Sequence, residues 1–191
     1  MPKDIVLVCG FGRCGSSLIM QMLYYGGLRF DLDSVVWPAC EETRTVLGPP
    51  FDWLEAYRGS AVKWLSPDWW QPPMGWPFRS IWLDRNANEQ AKSTLKWLRK
   101  YKSKVYANRP AQIKRGRKQR REIALKVLRR RGPVLLLRYE DLKLRPERAA
   151  QKIAVFTGHK LDVEAMARAV KNRETKCLDG MLEPHLDGPP E

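Results

Sequence analysis

Five apolar residues in succession, Ile5 to Cys9, end at Gly10-Phe11-Gly12-Arg13-Cys14-Gly15-Ser16-Ser17, and a second apolar segment, Leu18 to Tyr25, comes directly after. The first reads as a strand. The second is apolar almost all round, which suits a buried helix, and Gly26-Gly27 supply the stop that a helix C-terminus favours. Further strands are predicted at Leu28 to Val36, Ser60 to Leu65 and Ser80 to Asp84, and Val134 to Leu137 has the run of apolar residues expected of a fully buried parallel strand. Helical spacing returns in Ala91, Leu95 and Leu98, behind an Asn86/Glu89 pair that resembles a capping box. It returns again in Ala149, Ile153 and Phe156, behind Pro146 in the position of a first helical turn. Asp162 is placed to cap one more helix, to about Val170. Alternating strands and helices predict a single three-layer α/β domain, with a mainly parallel central sheet and helices on both faces. We expect this domain over residues 1–176, and a flexible C-terminal tail, rich in Pro, Gly and acid, over 177–191.

Three segments do not fit the alternation. Ser66 to Arg79 carries four prolines together with Trp69, Trp70, Trp76 and Phe78; loop aromatics more often pack than bind, so a plug over the sheet is favoured over a ligand lid. Lys63, alone in an apolar strand, reads by burial preference as a surface charge. Lys114 to Arg131 holds ten Lys or Arg against one Glu. This basic helix reads first as a solvated face, then as a steering surface for an anionic ligand or a contact for nucleic-acid phosphates. No nucleic-acid motif accompanies it.

Composition narrows the class without naming an activity. The 191 residues, 43% of them apolar, can bury an adequate core, and a formal charge of +14 draws anions by long-range attraction. Four cysteines, Cys9, Cys14, Cys40 and Cys177, form no C-x-x-C pair and no metal spacing. A reducing compartment is the simpler reading. The first residues are too few for a signal peptide and no run reaches membrane-spanning length, so a soluble, cytoplasmic protein is expected.

The glycine stretch carries the chemistry. A loop between a buried strand and a buried helix turns backbone N–H groups and the positive end of the helix dipole toward one spot, which suits phosphate or sulfate. The spacing Gly10, Gly15, Ser16-Ser17 imitates the nucleotide P-loop, G-x-x-x-x-G-K-[ST], except that Ser16 stands where the lysine belongs and the nearest cation is Arg13. Ordinary ATP or GTP hydrolysis is therefore disfavoured. A tight strand-to-helix turn with no ligand is the plain alternative. Arg85 comes just after the end of an apolar strand, the edge where ligands bind in open α/β sheets. Asp84 imitates the magnesium-holding Asp of a nucleotidase, a weak reading without the lysine. Glu41 and Glu42 read equally well as a solvated first helical turn.

Three separated motifs together resemble the sulfotransferase family, enzymes that use 3′-phosphoadenosine 5′-phosphosulfate (PAPS). Gly10 to Ser17 is similar to that family's 5′-phosphosulfate loop, with Arg13 in the cationic position and Cys14 where Ser or Thr is usual. Arg85 with Ser93 is similar to the pair that grips the ribose 3′-phosphate. Arg138-Tyr139-Glu140-Asp141-Leu142, then Pro146 and Ile153 to Gly158, is similar to the Y-E-D-L…P…I-x-x-F-x-G segment. A closer likeness is to the tyrosylprotein sulfotransferase branch and its bacterial relatives. Glu41-Glu42-Thr43-Arg44 resembles its E-E-T-R, whose second Glu is the general base.

The resemblance implies a sulfotransferase fold and transfer of a sulfuryl group from PAPS to an acceptor hydroxyl, without a metal. It implies Glu42, Lys63 and Arg13 as catalytic residues, and Arg13, Cys14, Gly15, Ser16, Ser17, Arg85, Ser93 and Tyr139 as cofactor-binding residues. Lys171, Arg173 and Lys176 are candidates for the late loop that closes over the cofactor. The acceptor class stays open, anionic acceptors included; nucleic acid is disfavoured. Two rivals remain: a degenerate P-loop kinase or nucleotidase, and a basic anion- or nucleic-acid-binding module. His159 and His185 are not placed after the loop as a histidine base would be.

Overall fold

The structure, a computed structural model, describes residues 4–28, 51–100 and 116–172, the side chains of 97–100 excepted. The strands are β1 (Ile5–Gly10), β2 (Ala61–Leu65), β3 (Phe78–Asp84) and β4 (Val134–Arg138). The helices are α1 (Ser16–Tyr25), α2 (Ala87–Lys100), α3 (Arg117–Arg129), α4 (Tyr139–Leu144), α5 (Pro146–Thr157) and α6 (Val163–Lys171), with a 3₁₀ segment at Asp52–Tyr57. Among the described residues the sheet runs β2-β1-β3-β4, and every pairing is parallel. The expected strand at Leu28 to Val36, the Glu41–Glu42 turn and the tail from Cys177 lie outside the described residues, except for Leu28.

Side chains alternate across the strands, and each face has its own core. Val6, Val8, Ile81, Leu83 and Leu137 meet Leu18, Ile19 and Met22 of α1, Ile153 of α5 and Met166 of α6. On the other face Ile5, Leu7, Trp64, Phe78 and Trp82 meet Leu54 and Tyr57 of the 3₁₀ segment and Ala124, Leu125 and Leu128 of α3. That is the three-layer α/β arrangement the alternation predicts. β1 is buried along its whole length, so the loop leaving its last residue is held at the centre of the sheet's C-terminal edge.

Helix starts obey local chemistry, with one part supplied from afar. Pro146 opens α5, and Asp162 Oδ1 accepts from Ala165 N at 2.9 Å to cap α6. At α2 the Asn86 side chain accepts from the amides of Asn88 and Glu89 at 2.9 and 3.3 Å. Glu89 does not complete the capping box. It pairs instead with Lys92, whose hydrogen bond and charge lower its pKa. The Asn86 amide donates to Glu140 of α4 at 2.8 Å, so the box is closed by a residue from the far third of the chain.

Four expectations change. β3 begins at Phe78 rather than Ser80, because Phe78 pairs with Ile5 and packs into the second core. β4 is not fully buried: among the described residues it is an edge strand, and Leu136 is 44% exposed. An apolar run signals a strand but not how many neighbours it has. Among the described side chains of α2 the buried positions are Gln90, Ala91 and Thr94, with Leu95 only half-buried; Leu98 lies outside them. Finally, the basic helix α3 is not a plain solvated face. Arg120 pairs with the buried Asp68 at 2.6 Å, Arg121 grips Asp84 through two nitrogens at 2.6–2.9 Å, and Arg131, just beyond, donates to the Pro72 carbonyl at 2.9 Å. The bonds of Arg120 and Arg131 tie α3 to the proline-rich loop. That loop also packs inward: Trp64 Nε1 donates to the Trp70 carbonyl at 2.6 Å, and Trp76 lies on the second core.

Candidate functional site

The site is built on the loop from Phe11 to Gly15, between β1 and α1. Two glycines set its shape. A Cβ on Gly10 would lie 2.9 Å from the Leu83 carbonyl, so neighbouring backbone fills that space. Gly15 has φ 108, and a Cβ there would lie 2.5 Å from the Tyr139 ring. Arg13, between them, is itself left-handed at φ 64, a conformation that costs a non-glycine residue about 1–2 kcal/mol and persists only when its surroundings hold it.

Those surroundings are side chains bonded to the loop's carbonyls. Gln90 Nε2 donates to the carbonyls of Phe11 and Gly12 at 3.1 and 2.7 Å, and an Arg85 guanidinium nitrogen donates to that of Arg13 at 3.0 Å. Within a peptide unit the N–H points opposite to its C=O. Fixing these carbonyls on the β3–α2 side therefore turns the amides of Gly12 and Arg13 the other way. Ser16 and Ser17 open α1, where the first amides of a helix have no intrahelical acceptor and the dipole is positive. The loop has the form of an anion cradle.

Charged side chains gather round it. Lys63 is wholly buried, against the expectation of a surface charge, and its Nζ donates to Ser17 Oγ at 3.4 Å. Burying an ammonium is costly unless it is bonded, and the β1–β2 register fixes it here by pairing Lys63 with Val8. The Arg85 guanidinium lies over the Tyr139 ring, 4.4 Å from its centroid, and its Nε is buried without a hydrogen-bond partner among the described residues. A guanidinium with an unsatisfied donor beside helix-opening amides suits a phosphate group. Next to the loop, on the opposite face, Arg120 lies over the rings of Trp69 and Phe11 at 3.8 and 4.9 Å.

The predicted site residues divide into three sets. Arg13, Gly15, Ser16, Ser17, Lys63, Arg85 and Tyr139 come together around the loop. Cys14 belongs to the loop, but its side chain is buried in the first core, and its amide donates to the Phe11 carbonyl at 3.0 Å. Ser93 is half-buried on α2, and no hydrogen bond joins it to Arg85 among the described residues. Glu42, Arg173 and Lys176 lie outside the described residues. Lys171 is bonded to Glu147 at 2.6 Å, which lowers the Glu147 pKa. Asp84 is occupied by Arg121 and by Trp82 Nε1 at 2.7 Å. Gln90 and Arg117, which donates to Gln90 Oε1 at 2.5 Å, went unmarked in the sequence: a glutamine on a helix looks like surface. Cys9 lies beneath the loop as an ordinary core thiol, its pKa pushed well up by burial and then by Cys14.

At β4 is a cavity of about 460 Å³ whose lining includes Arg121, Arg138, Arg145, Arg148 and Lys152 together with Asp84 and Asp141.

Residues 121–177 match a family model described as sulfotransferase domain. A sulfotransferase structure from Alicyclobacillus acidocaldarius superimposes with a TM-score of 0.51 at 14% identity, covering 85% of each chain. The chain has the sulfotransferase fold. It resembles sulfotransferases in the signature of its last third and in the layering of its sheet. Retinol dehydratase, in complex with androsterone and inactive cofactor PAP, aligns with a TM-score of 0.48 at 15% identity over 90% of this chain. The sulfotransferase-fold chain spans 64% of that enzyme's length. No curated protein matches the sequence.

Proposed function

We propose that this protein transfers a sulfuryl group from PAPS to an acceptor hydroxyl. The observation that carries the proposal is the cradle itself: a P-loop-shaped turn whose lysine position holds Ser16, with cations supplied instead by Lys63 from β2 and Arg85 from the end of β3. PAPS, when bound, supplies the sulfuryl group and a phosphate leaving oxygen, and the residues present fit it. The amides of the loop and of the α1 N-terminus hold the 5′-phosphosulfate, with Ser16 and Ser17 beside them. Arg85, with an unsatisfied donor and its plane over Tyr139, holds the 3′-phosphate or the ring system next to it.

Lys63 and Arg13 stabilise negative charge that grows on the bridging and sulfuryl oxygens, the preorganised electrostatic contribution that is usually largest. Lys63 is suited to this because its strand holds it buried and its amine already lies within reach of the cradle hydroxyl of Ser17. Glu42 accepts the proton of the acceptor hydroxyl; the support for it is the E-E-T-R resemblance. The kinase reading is weakened because Asp84 is taken by Arg121. The anion-module reading is weakened because Arg117, Arg120, Arg121 and Arg131 bind other parts of the protein.

Calorimetric titration with adenosine 3′,5′-bisphosphate and with ATP tests the proposal. Tighter binding of the bisphosphate is expected. Equal weakness for both, or preference for ATP, overturns it. A labelled-PAPS transfer screen across peptide, polysaccharide and small-metabolite acceptors then identifies the acceptor class.

A further inference from the structure

The buried amide of Gln90 has no part in the proposed transfer, yet it touches the loop more than once. Its Nε2 donates to two successive loop carbonyls, Phe11 at 3.1 Å and Gly12 at 2.7 Å, while its Oε1 accepts from Arg117 of α3 at 2.5 Å. The side chain is 3% exposed. The chemistry fixes which end is which: two carbonyls require the two-hydrogen donor, and a guanidinium requires the oxygen. A primary carboxamide meets both demands at once. A carboxylate would turn its oxygens against two carbonyls, and a thioether would leave both carbonyls without this donor.

We infer that Gln90 is a positioning residue for the anion cradle. Its bonds hold the Phe11 and Gly12 carbonyls on the β3–α2 side, so that the amides of Gly12 and Arg13 face the 5′-phosphosulfate. The inference rests on the reading of the loop as that group's site. Arg117 holds the amide in its working orientation and thereby ties α3 to the geometry of the loop. Gln90 meets neither donor nor acceptor substrate; it acts through the backbone it holds. The Phe11 carbonyl also accepts from the Cys14 amide at 3.0 Å, so the plane at Gly12 depends most on Gln90; without it that plane can rotate, and the cradle must be ordered when the anion binds, which weakens binding of the group the cradle serves and of no other.

The test separates the two ends of the nucleotide. Dissociation constants for adenosine 3′,5′-bisphosphate and for adenosine 3′-monophosphate, which lacks the 5′ group, are measured on the wild type, Gln90→Met and Gln90→Glu. Gln90→Met preserves length and apolar packing; Gln90→Glu preserves the partnership with Arg117. Both variants are expected to lose about tenfold to a hundredfold in affinity for the bisphosphate, the usual range for outer-shell positioning groups, and to bind the 3′-monophosphate within about twofold of wild type. Unchanged bisphosphate affinity in both variants overturns the inference. So does a parallel loss for both nucleotides or a failure of both variants to fold, either of which would mean that Gln90 serves general stability. If the wild type itself binds the two nucleotides equally, the reading of the loop fails first, independently of Gln90.

Discussion

Replacing Gly15 by alanine probes the closest approach in the site. The added Cβ would lie 2.5 and 2.8 Å from two Tyr139 ring carbons and 3.3 Å from Leu83 Cδ2, on a backbone at φ 108. The left-handed conformation alone costs a side chain about 1–2 kcal/mol. Wedging a methyl against a ring adds about 1–3 kcal/mol, typical of overpacking, and the ring is further constrained by the Arg85 guanidinium 4.4 Å from its centroid. Gly15→Ala is therefore expected to destabilise by about 2–5 kcal/mol, a large part of the roughly 5–15 kcal/mol typical of a whole domain. Urea unfolding of Gly15→Ala, Tyr139→Ala and the double variant separates the two contributions. With the ring removed, only the backbone cost should remain, so the cycle should show a coupling of about 1–3 kcal/mol. A single-variant cost below about 1 kcal/mol, or additivity within about 0.5 kcal/mol, would refute the account of Gly15 as a glycine required by Tyr139.

Lys63→Met removes a buried charge while keeping much of its shape; because burying an ammonium opposes folding, thermal stability should hold or rise while PAPS-dependent turnover falls by about two orders of magnitude or more, and unaltered turnover would exclude Lys63 from the chemistry. Glu42→Gln should keep adenosine 3′,5′-bisphosphate affinity and lose about 10²- to 10⁴-fold in turnover, whereas Arg85→Ala should lose affinity first; calorimetry beside steady-state kinetics distinguishes the two patterns. His159, half-buried near Asp4 and Arg79 at the opposite edge of the sheet, has its pKa lowered chiefly by burial. Its neutral form is the folded one, so its contribution is present above the ordinary histidine pKa of about 6.5 and is lost as pH falls through the lowered value. Melting temperatures of wild type and His159→Asn should accordingly converge on acidification below about pH 6.5, and a constant difference between about pH 8 and pH 5 would contradict this.

The sequence made the order of elements legible wherever one residue type has one physical use. The glycine break after Cys9, Pro146 at a helix start and the Asp162 cap each appear as predicted. The α/β layering is a direct result of the alternation. The features it concealed depend on neighbours distant along the chain. By burial preference Lys63 looks like any surface lysine, and only the family resemblance marked it; the pairing of β2 with β1 is what buries it within reach of Ser17. Val134 to Leu137 reads as a central strand because its composition does not record that, among the described residues, only one side has a partner strand. Gln90 and Arg117 are polar residues on helices, and nothing local separates a surface glutamine from one that holds two backbone carbonyls. Glu140 replaces Glu89 at the start of α2 for the same reason. The chemically distinctive loop residues were found because their spacing is itself the signal; the groups that orient them have no spacing to read.

The ring of Tyr139 against Gly15 and the carboxylate of Glu140 on Asn86 also impose an order in time. A ribosome releases β1, the loop and α1 first, and these contain every backbone amide the cradle uses. They stay unfinished until β4 and the start of α4 have left the exit tunnel, because the ring that packs against Gly15 and the acceptor that fixes the start of α2 are made only with Tyr139 and Glu140. A nascent or truncated chain ending before Tyr139 therefore displays the complete glycine motif without the ring that packs against it or the carboxylate that fixes the start of α2.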